Sequence, residues 1–392
     1  MKLLLTLVFW LFANLSLFSQ RTSALEPKNE QDSLPTPQER STGNRYLKFK
    51  FEHGGILPID DNPIVNQVLQ ASTFTGISLS YGWEIKSSSV YSDVYRKPVV
   101  GIGFMTSTFN NPVIGAPMSF FGFAEIPFSR RKSRLNFAYN LAVGVSFHFN
   151  PYDHVTNPEN LMISSGLNAY IQAGVEARYQ VSKNWQAGLG IGYKHFSNGA
   201  MKKPNAGINL LPIQISAQYK LENPLTTKKL SQLPPYKPSF SFDLYTSSGL
   251  KQNNPDEELI YKNLVGAFMG YQFSYKYKLG IGFDLTYSSG GTHRVSGDES
   301  AFEKNFSYGI YAGWEWYITD RLYMPINLGF YLHHQVQNSE TTIFYERLGI
   351  RYLFFNRHLF VGPSLKAHAG TADFIELNVG WTFHNDKNNY KR

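Results

Sequence analysis

The chain has 392 residues, no cysteine, and 37 Lys+Arg against 29 Asp+Glu, for a formal net charge of +8. A disulfide framework and a thiolate metal site are excluded. With 17% charged residues it is poor in the cations a phosphate-neutralising nucleic-acid protein needs, and with 16% aromatics and 32 glycines it is far from a disordered composition, so a β structure at a membrane is favoured.

In chain order, Lys2 precedes an apolar run from Leu3 to Phe18 and the small-residue sequence Thr22-Ser23-Ala24, which predicts a secretory signal peptide over 1–24, cut after Gln20 or Ala24. The run is interrupted by Asn14 and Ser16 and falls short of the ~20 apolar residues of a membrane helix. Residues 25–45 are rich in Pro and charge and read as a mobile lead-in.

From Tyr46 to His384 large apolar residues alternate with small or polar ones, in runs separated by turn-like clusters. In Leu167–Val181 the odd positions are Leu167, Ala169, Ile171, Ala173, Val175, Ala177, Tyr179 and Val181, whereas the even ones include Asn168, Gln172, Glu176, Arg178 and Gln180. Aromatic residues recur at the strand ends, as in interfacial girdles, and the connections alternate in length. Tight links fall at Ser182-Lys183-Asn184, Thr319-Asp320-Arg321 and Asn356-Arg357, and longer loops at Phe149–Ser165, Ser288–Glu303 and Gln335–Thr341. The predicted fold is all-β: an antiparallel outer-membrane β-barrel over 46–384 with about 14–16 strands, short turns and termini on the periplasmic side. The polar link Glu222–Lys237 breaks the turn rule and reads either as a loop or as a seam between two halves. The last strand, Thr371–His384, is followed by a polar tail, 385–392.

The chemistry concentrates between Trp185 and Leu211. The lipid-side parity Trp185, Ala187, Leu189, Ile191 and Tyr193 runs on into His195 and Ser197, opposite the lumen-side Gln186, Gly188, Gly190, Gly192 and Lys194. The return strand, with Leu211, Ile213, Ile215, Ala217 and Tyr219, is preceded on the same parity by Asn209. Side chains two apart on one strand face lie ~7 Å apart, within reach for an imidazole to take a serine proton. Asn198, Asn205 and the backbone of the Gly199-Ala200 bend are oxyanion candidates. Lys194, Lys202 and Lys203 are candidates for contact with an anionic head group. Glu176 and Arg178 face the lumen as a charge network, and Asp373, on the lipid-side parity near the rim, is the distant candidate for a catalytic acid. The histidines His148, His154, His293, His333, His334 and His368 are scattered without metal-ligand spacing, so no metal site and no cofactor are expected. No phosphate-cradling loop or nucleic-acid module occurs. On spacing alone, a His and a Ser near a loop are equally ordinary rim residues.

The segments His195-Phe196-Ser197-Asn198-Gly199-Ala200 and Lys203-Pro204-Asn205-Ala206-Gly207-Ile208-Asn209 resemble the signature of the lipid A 3-O-deacylases of the PagL type, the acyloxyacyl hydrolase family. The resemblance implies an outer-membrane β-barrel whose outer surface carries a catalytic His and Ser, here His195 and Ser197, hydrolysing an ester-linked 3-hydroxyacyl chain of lipid A. It implies lipid A of the outer leaflet as partner and no cofactor. It departs at one position, because the family's acid is Glu and the residue here is Asn209, which can orient His195 but brings no charge. It covers 46–221; the further strands, 237–384, carry Leu365-Lys366-Ala367-His368-Ala369-Gly370 and Ala372-Asp373-Phe374, similar to the ending of longer members from the Bacteroidetes. The rival readings are a non-catalytic barrel, porin-like or structural, that keeps the motif, and behind it a soluble exported β-sandwich.

Overall fold

The computed structural model describes residues 44–58, 62–85, 90–129, 133–221, 233–290, 301–338 and 340–384. The expected signal peptide, the lead-in up to 43, most of the Glu222–Lys237 link, His293 and the tail lie outside the described residues.

Alternation becomes a barrel wherever a strand finds partners on both edges. The first sheet contains β1 (Arg45–Gly54), the short β2 (Ile56–Leu57), β3 (Phe74–Glu84), β4 (Val99–Thr108), β5 (Gly115–Pro127), β6 (Leu135–Phe149), β7 (Leu167–Gln180), β8 (Trp185–Ser197), the short β9 (Ile208–Leu210) and β10 (Ile213–Lys220). Strand β10 pairs with both β1 and β8, which closes eight long antiparallel strands into a barrel and leaves β2 and β9 as a rim flap. The second sheet contains β11 (Ser239–Lys251), β12 (Ile260–Gln272), β13 (Tyr277–Ser288), β14 (Phe306–Tyr317), β15 (Leu322–His333), β16 (Phe344–Gly349), β17 (Arg351–Phe354), β18 (Leu359–His368) and β19 (Thr371–His384). It closes through β14–β15, with β16 and β17 as two pieces of one rung, so it too has eight staves.

The expected strand number is therefore met, but as two closed barrels and not as one ring of 14–16 strands. Alternation assigns faces and is silent on partners. An eight-stranded barrel has an interior that side chains alone can fill, and each half of this chain supplies a self-contained polar filling. In the chain, the Glu222–Lys237 link falls between the last strand of the first barrel and the first strand of the second.

Side-chain parity follows the sequence reading. In β7, Leu167 and Tyr179 are exposed on the outside while Tyr170, Gln172, Glu176 and Arg178 are buried inside. The outward apolar residues, among them Phe49, Leu79, Ile102 and Leu189 on the first barrel and Val265, Met269 and Ile281 on the second, are exposed over both walls. Only lipid covers so large an apolar surface without penalty.

Inside the first barrel, Lys48 Nζ lies 2.5 Å from Glu125 and 2.7 Å from Glu176, and Arg178 pairs with Glu125 at 2.9 Å. Gly188 leaves room for this filling, since a Cβ there would stand 2.5 Å from Glu176 Oε1. Toward the loop end Glu52 takes Lys50 at 3.2 Å and Lys194 at 2.7 Å. Above them helix α1 (Pro63–Gln70), N-capped by Asn62, packs Val65, Val68 and Leu69 onto Phe74, Met105, Phe109, Phe149 and Phe196 as an apolar plug. In the second barrel Asp284 accepts from Arg347 at 2.8 Å, Tyr245 at 2.7 Å and Tyr345 at 2.9 Å, and Lys278 bridges Asp243 and Glu315. Both lumens are filled across their middles by these paired charges, which argues against a porin-like reading, while the first opens at its turn end into a cavity of about 650 Å³ lined by Tyr46, Glu84, Arg178 and Gln186.

Removing one member of a buried ion network strands its partner. Glu52→Ala, which leaves Lys194 without its carboxylate, is expected to destabilise the first barrel by about 3–5 kcal/mol. Urea unfolding in detergent, followed by the loss of the heat-modifiable compact band on gels, measures it; an unchanged midpoint would mean that water replaces the pair at no cost.

The two barrels touch at both rims. At the turn side, α2 (Val90–Val94) leads into Tyr95, whose hydroxyl donates to Tyr317 O at 2.5 Å and accepts from Trp316 Nε1 at 2.7 Å. Ala124 and Ile126 of β5 join the same buried cluster.

Candidate active site

The site is built on the loop end of β8 and on β9. Register places His195 opposite Asn209, and Ile171 and Ala169 of β7 opposite His195 and Ser197 on the other edge. Because Lys194 and Phe196 point inward, His195 and Ser197 stand on the outer wall, as parity predicts. They are nevertheless only 7% and 5% exposed, and Asn209 4%. The β8–β9 connection folds back over them: Gly207, at φ +77°, lies so close that a Cβ would stand 3.0 Å from His195 Cε1. That connection is tied to the neighbouring loop by Ala206 N–H to Leu161 O and Gly207 N–H to Met162 O.

The three polar side chains expected to converge do so. His195 Nε2 is 2.9 Å from Ser197 Oγ, and His195 Nδ1 is 2.6 Å from Asn209 Oδ1. A fourth residue completes the chain: Tyr193 donates its hydroxyl to Asn209 Oδ1 at 2.5 Å. An oxygen that accepts from Tyr193 also accepts the Nδ1 proton of His195. The neutral imidazole is thereby held with Nδ1 protonated and Nε2 free to accept the serine proton. Tyr193 shares the outer parity two residues before His195, a spacing that could have marked it, but it reads equally well as girdle.

After Ser197 the backbone turns through Gly199 and Ala200, both left-handed at φ +63° and +64°. Asn198 is committed to the loop itself: its side-chain amide donates to Ser164 Oγ at 3.1 Å and Lys202 O at 2.8 Å, and its N–H donates to Asn205 Oδ1 at 3.2 Å. The Asn198 amide is thus spent on the bend, and Asn205 Oδ1 holds the bend's first N–H. Among the described residues the backbone N–H groups of Gly199 and Ala200 have no acceptor.

With this geometry in view, the comparisons with known proteins align. Residues 75–218 match the family model described as lipid A 3-O-deacylase (PagL), and residues 240–385 match that of the acyloxyacyl hydrolase C-terminal domain. The chain belongs to the PagL-type family. Among solved structures, the outer membrane enzyme PagL is 16% identical, covering 43% of this chain and 97% of its own, at a TM-score of 0.31. The FrpB iron transporter from Neisseria meningitidis is 9% identical over 87% of this chain and 70% of its own, at a TM-score of 0.24. OccAB4 of Acinetobacter baumannii is 9% identical over 89% of this chain and all of its own (100%), at a TM-score of 0.25. No curated protein matches the chain. The protein is an outer-membrane β-barrel of the PagL type.

Two of the sequence-derived roles are corrected within this PagL-type frame. Lys194 cannot meet a lipid head group: it is fully buried in the lumen, 2.7 Å from Glu52, donating to Tyr170 and Gln172 and lying over the Tyr170 ring. Its even parity already points inward, and burial beside a carboxylate is what neutralises it there. Asp373 is not a substitute acid on the wall. A register shift between β18 and β19 beside Ala367 turns its carboxylate into the second barrel, 2.5 Å from Lys251 and 3.0 Å from Lys262. Lys202 is exposed and Lys203 half-buried on the loop. Burial pulls the Lys203 ammonium below its ordinary pKa, with Asp373 acting in the opposite direction.

Proposed function

We propose that this chain is a serine esterase of the outer membrane that removes an ester-linked 3-hydroxyacyl chain from lipid A. The observation that carries the reading is the unbroken hydrogen-bonded series Ser197, His195, Asn209 and Tyr193 on the outer wall of the first barrel, at the loop end. Ser197 Oγ attacks the ester carbonyl as its proton passes to His195 Nε2, and the carbonyl oxygen, now anionic, is met by the Gly199 and Ala200 amides. The C–O bond to the sugar breaks, and the alkoxide leaves with the proton from His195. Water, deprotonated by the same imidazole, then releases the fatty acid and restores Ser197. Asn209 keeps the tautomer but supplies no negative charge to the transient imidazolium, so turnover is slower than with a carboxylate at that position. Acyl chains reach the site along the wall from the outer leaflet, and Lys202 and Lys203 stand where phosphates of the head group arrive.

Mass spectrometry of lipid A from cells producing the chain, against cells carrying an empty vector, tests the reading. The expected result is the loss of one hydroxyacyl mass. An unchanged lipid A spectrum on several lipid A structures, with the protein present in the outer membrane, would favour the non-catalytic barrel.

A further inference from the structure

The loop that follows Ser197 is held from two sides. The first barrel contributes Ser164 and Asn205, as described. On the other side stands Gln252, one residue past the end of β11 in the second barrel and only 9% exposed. Its backbone N–H donates to Ala200 O at 2.8 Å, and its side-chain Oε1 accepts from Lys203 N–H at 2.7 Å. Its Nε2 donates to Glu257 O at 2.7 Å, which fixes which end of the amide faces the loop. Beside it Ile375 of β19 closes over Gly199, where an added Cβ would meet Ile375 Cγ1 at 2.3 Å.

Ala200 needs such support. A left-handed conformation at a residue with a Cβ costs about 1–2 kcal/mol, and it persists where surrounding contacts over-determine it. The contacts that do so at its carbonyl, and three residues on at Lys203, come from the other barrel. Tyr95, bonded to Trp316 and Tyr317 at the opposite rim, fixes the second barrel against the first, so the clamp has a rigid footing.

We infer that the second barrel is part of the catalytic apparatus, with Gln252 as a positioning residue that sets the Gly199-Ala200 amides where the oxyanion forms. This rests on the proposed ester hydrolysis at Ser197. It gives the C-terminal half of the chain a role that its own lumen, filled with paired charges, does not suggest. It also accounts for an outward-facing site that is mostly covered: the loop lies in the angle between two walls, and an acyl chain enters from the lipid beside that angle.

The test uses the full chain in detergent or vesicles containing lipid A. Gln252→Ala removes the acceptor for Lys203 N–H while leaving the backbone bond to Ala200. Its kcat is expected to fall about tenfold, below the 10²–10³ lost when an oxyanion donor is removed outright, with KM unchanged. Gln252→Glu, which keeps an acceptor oxygen for Lys203 N–H but sets its second oxygen against Glu257 O, is expected to recover part of the loss. Amide hydrogen exchange of residues 198–203 should quicken in Gln252→Ala, with β11 and β19 unaffected. Wild-type kcat together with wild-type exchange in Gln252→Ala overturns the inference and leaves hydrolysis at Ser197 standing. A parallel fall in kcat and in the unfolding midpoint, not recovered by Glu, also overturns it, because the residue is then structural. If the wild-type chain hydrolyses nothing, the proposed activity fails separately, and unaltered exchange at 198–203 in Gln252→Ala would then reject the clamp on its own.

Discussion

Ser197→Ala is expected to lower lipid A deacylation by at least about 10⁴-fold, to the level that binding and oxyanion donors sustain alone. The barrel should be unaffected, because Ser197 Oγ bonds to His195 and the strand register of β8 rests on backbone pairing with β7. His195→Ala is expected to cost a similar factor. The double variant should be no worse than either single one, since nucleophile and base act as a unit. Matched amounts of each protein in the outer membrane and the rate of fatty-acid release provide the measurement. Retention of activity in Ser197→Ala would mean that water, not serine, is the nucleophile, with His195 as its base. Additive losses in the double variant would mean that the two residues serve separate steps.

How much of this was legible in the sequence varies from feature to feature, and the physical reasons differ. Parity along β7 and β8 is a local property, so the inward Gln172, Glu176 and Arg178 and the outward His195 and Ser197 are legible in the sequence. The turns at Ser182-Lys183-Asn184 and Thr319-Asp320-Arg321 were readable for the same reason. Closure was not. Whether β10 returns to β1 or the sheet runs on into β11 is a choice of long-range partner, and alternation is the same in either case. Asp373 was misplaced by a single register shift, which inverts the face of every residue beyond it until the strand recovers. Gln252 carried no signal at all, because its role depends on the docking of one barrel against the other. The His-Ser-Asn grouping was visible by spacing, but the hydroxyl of Tyr193 that anchors Asn209 looked like an interfacial aromatic.

The position of Asn209 leads to the second large effect. Asn209→Leu is close in volume but accepts nothing, so both the Tyr193 hydroxyl and His195 Nδ1 lose their partner. The imidazole is then free to carry its proton on Nε2, where it cannot take the serine proton, and kcat is expected to fall by about 10²–10⁴-fold. Asn209→Glu should move the other way. A carboxylate oxygen can accept from both donors, and charge-assisted hydrogen bonds are roughly twice as strong as neutral ones, so a rise in kcat of about tenfold is expected if the longer side chain keeps the register with His195. Tyr193→Phe separates the two contributions: it removes one donor to Asn209 and leaves the bond to His195, and a loss of only a fewfold is expected. Rates measured across pH for all four chains decide the matter. If Asn209→Glu gains nothing and Asn209→Leu loses nothing, His195 is oriented by packing against Gly207 instead, and the series ends at Ser197 and His195. If Leu is inactive and Glu is the fastest, then the asparagine of this chain is an orienting group that trades rate for an uncharged wall beside the lipid.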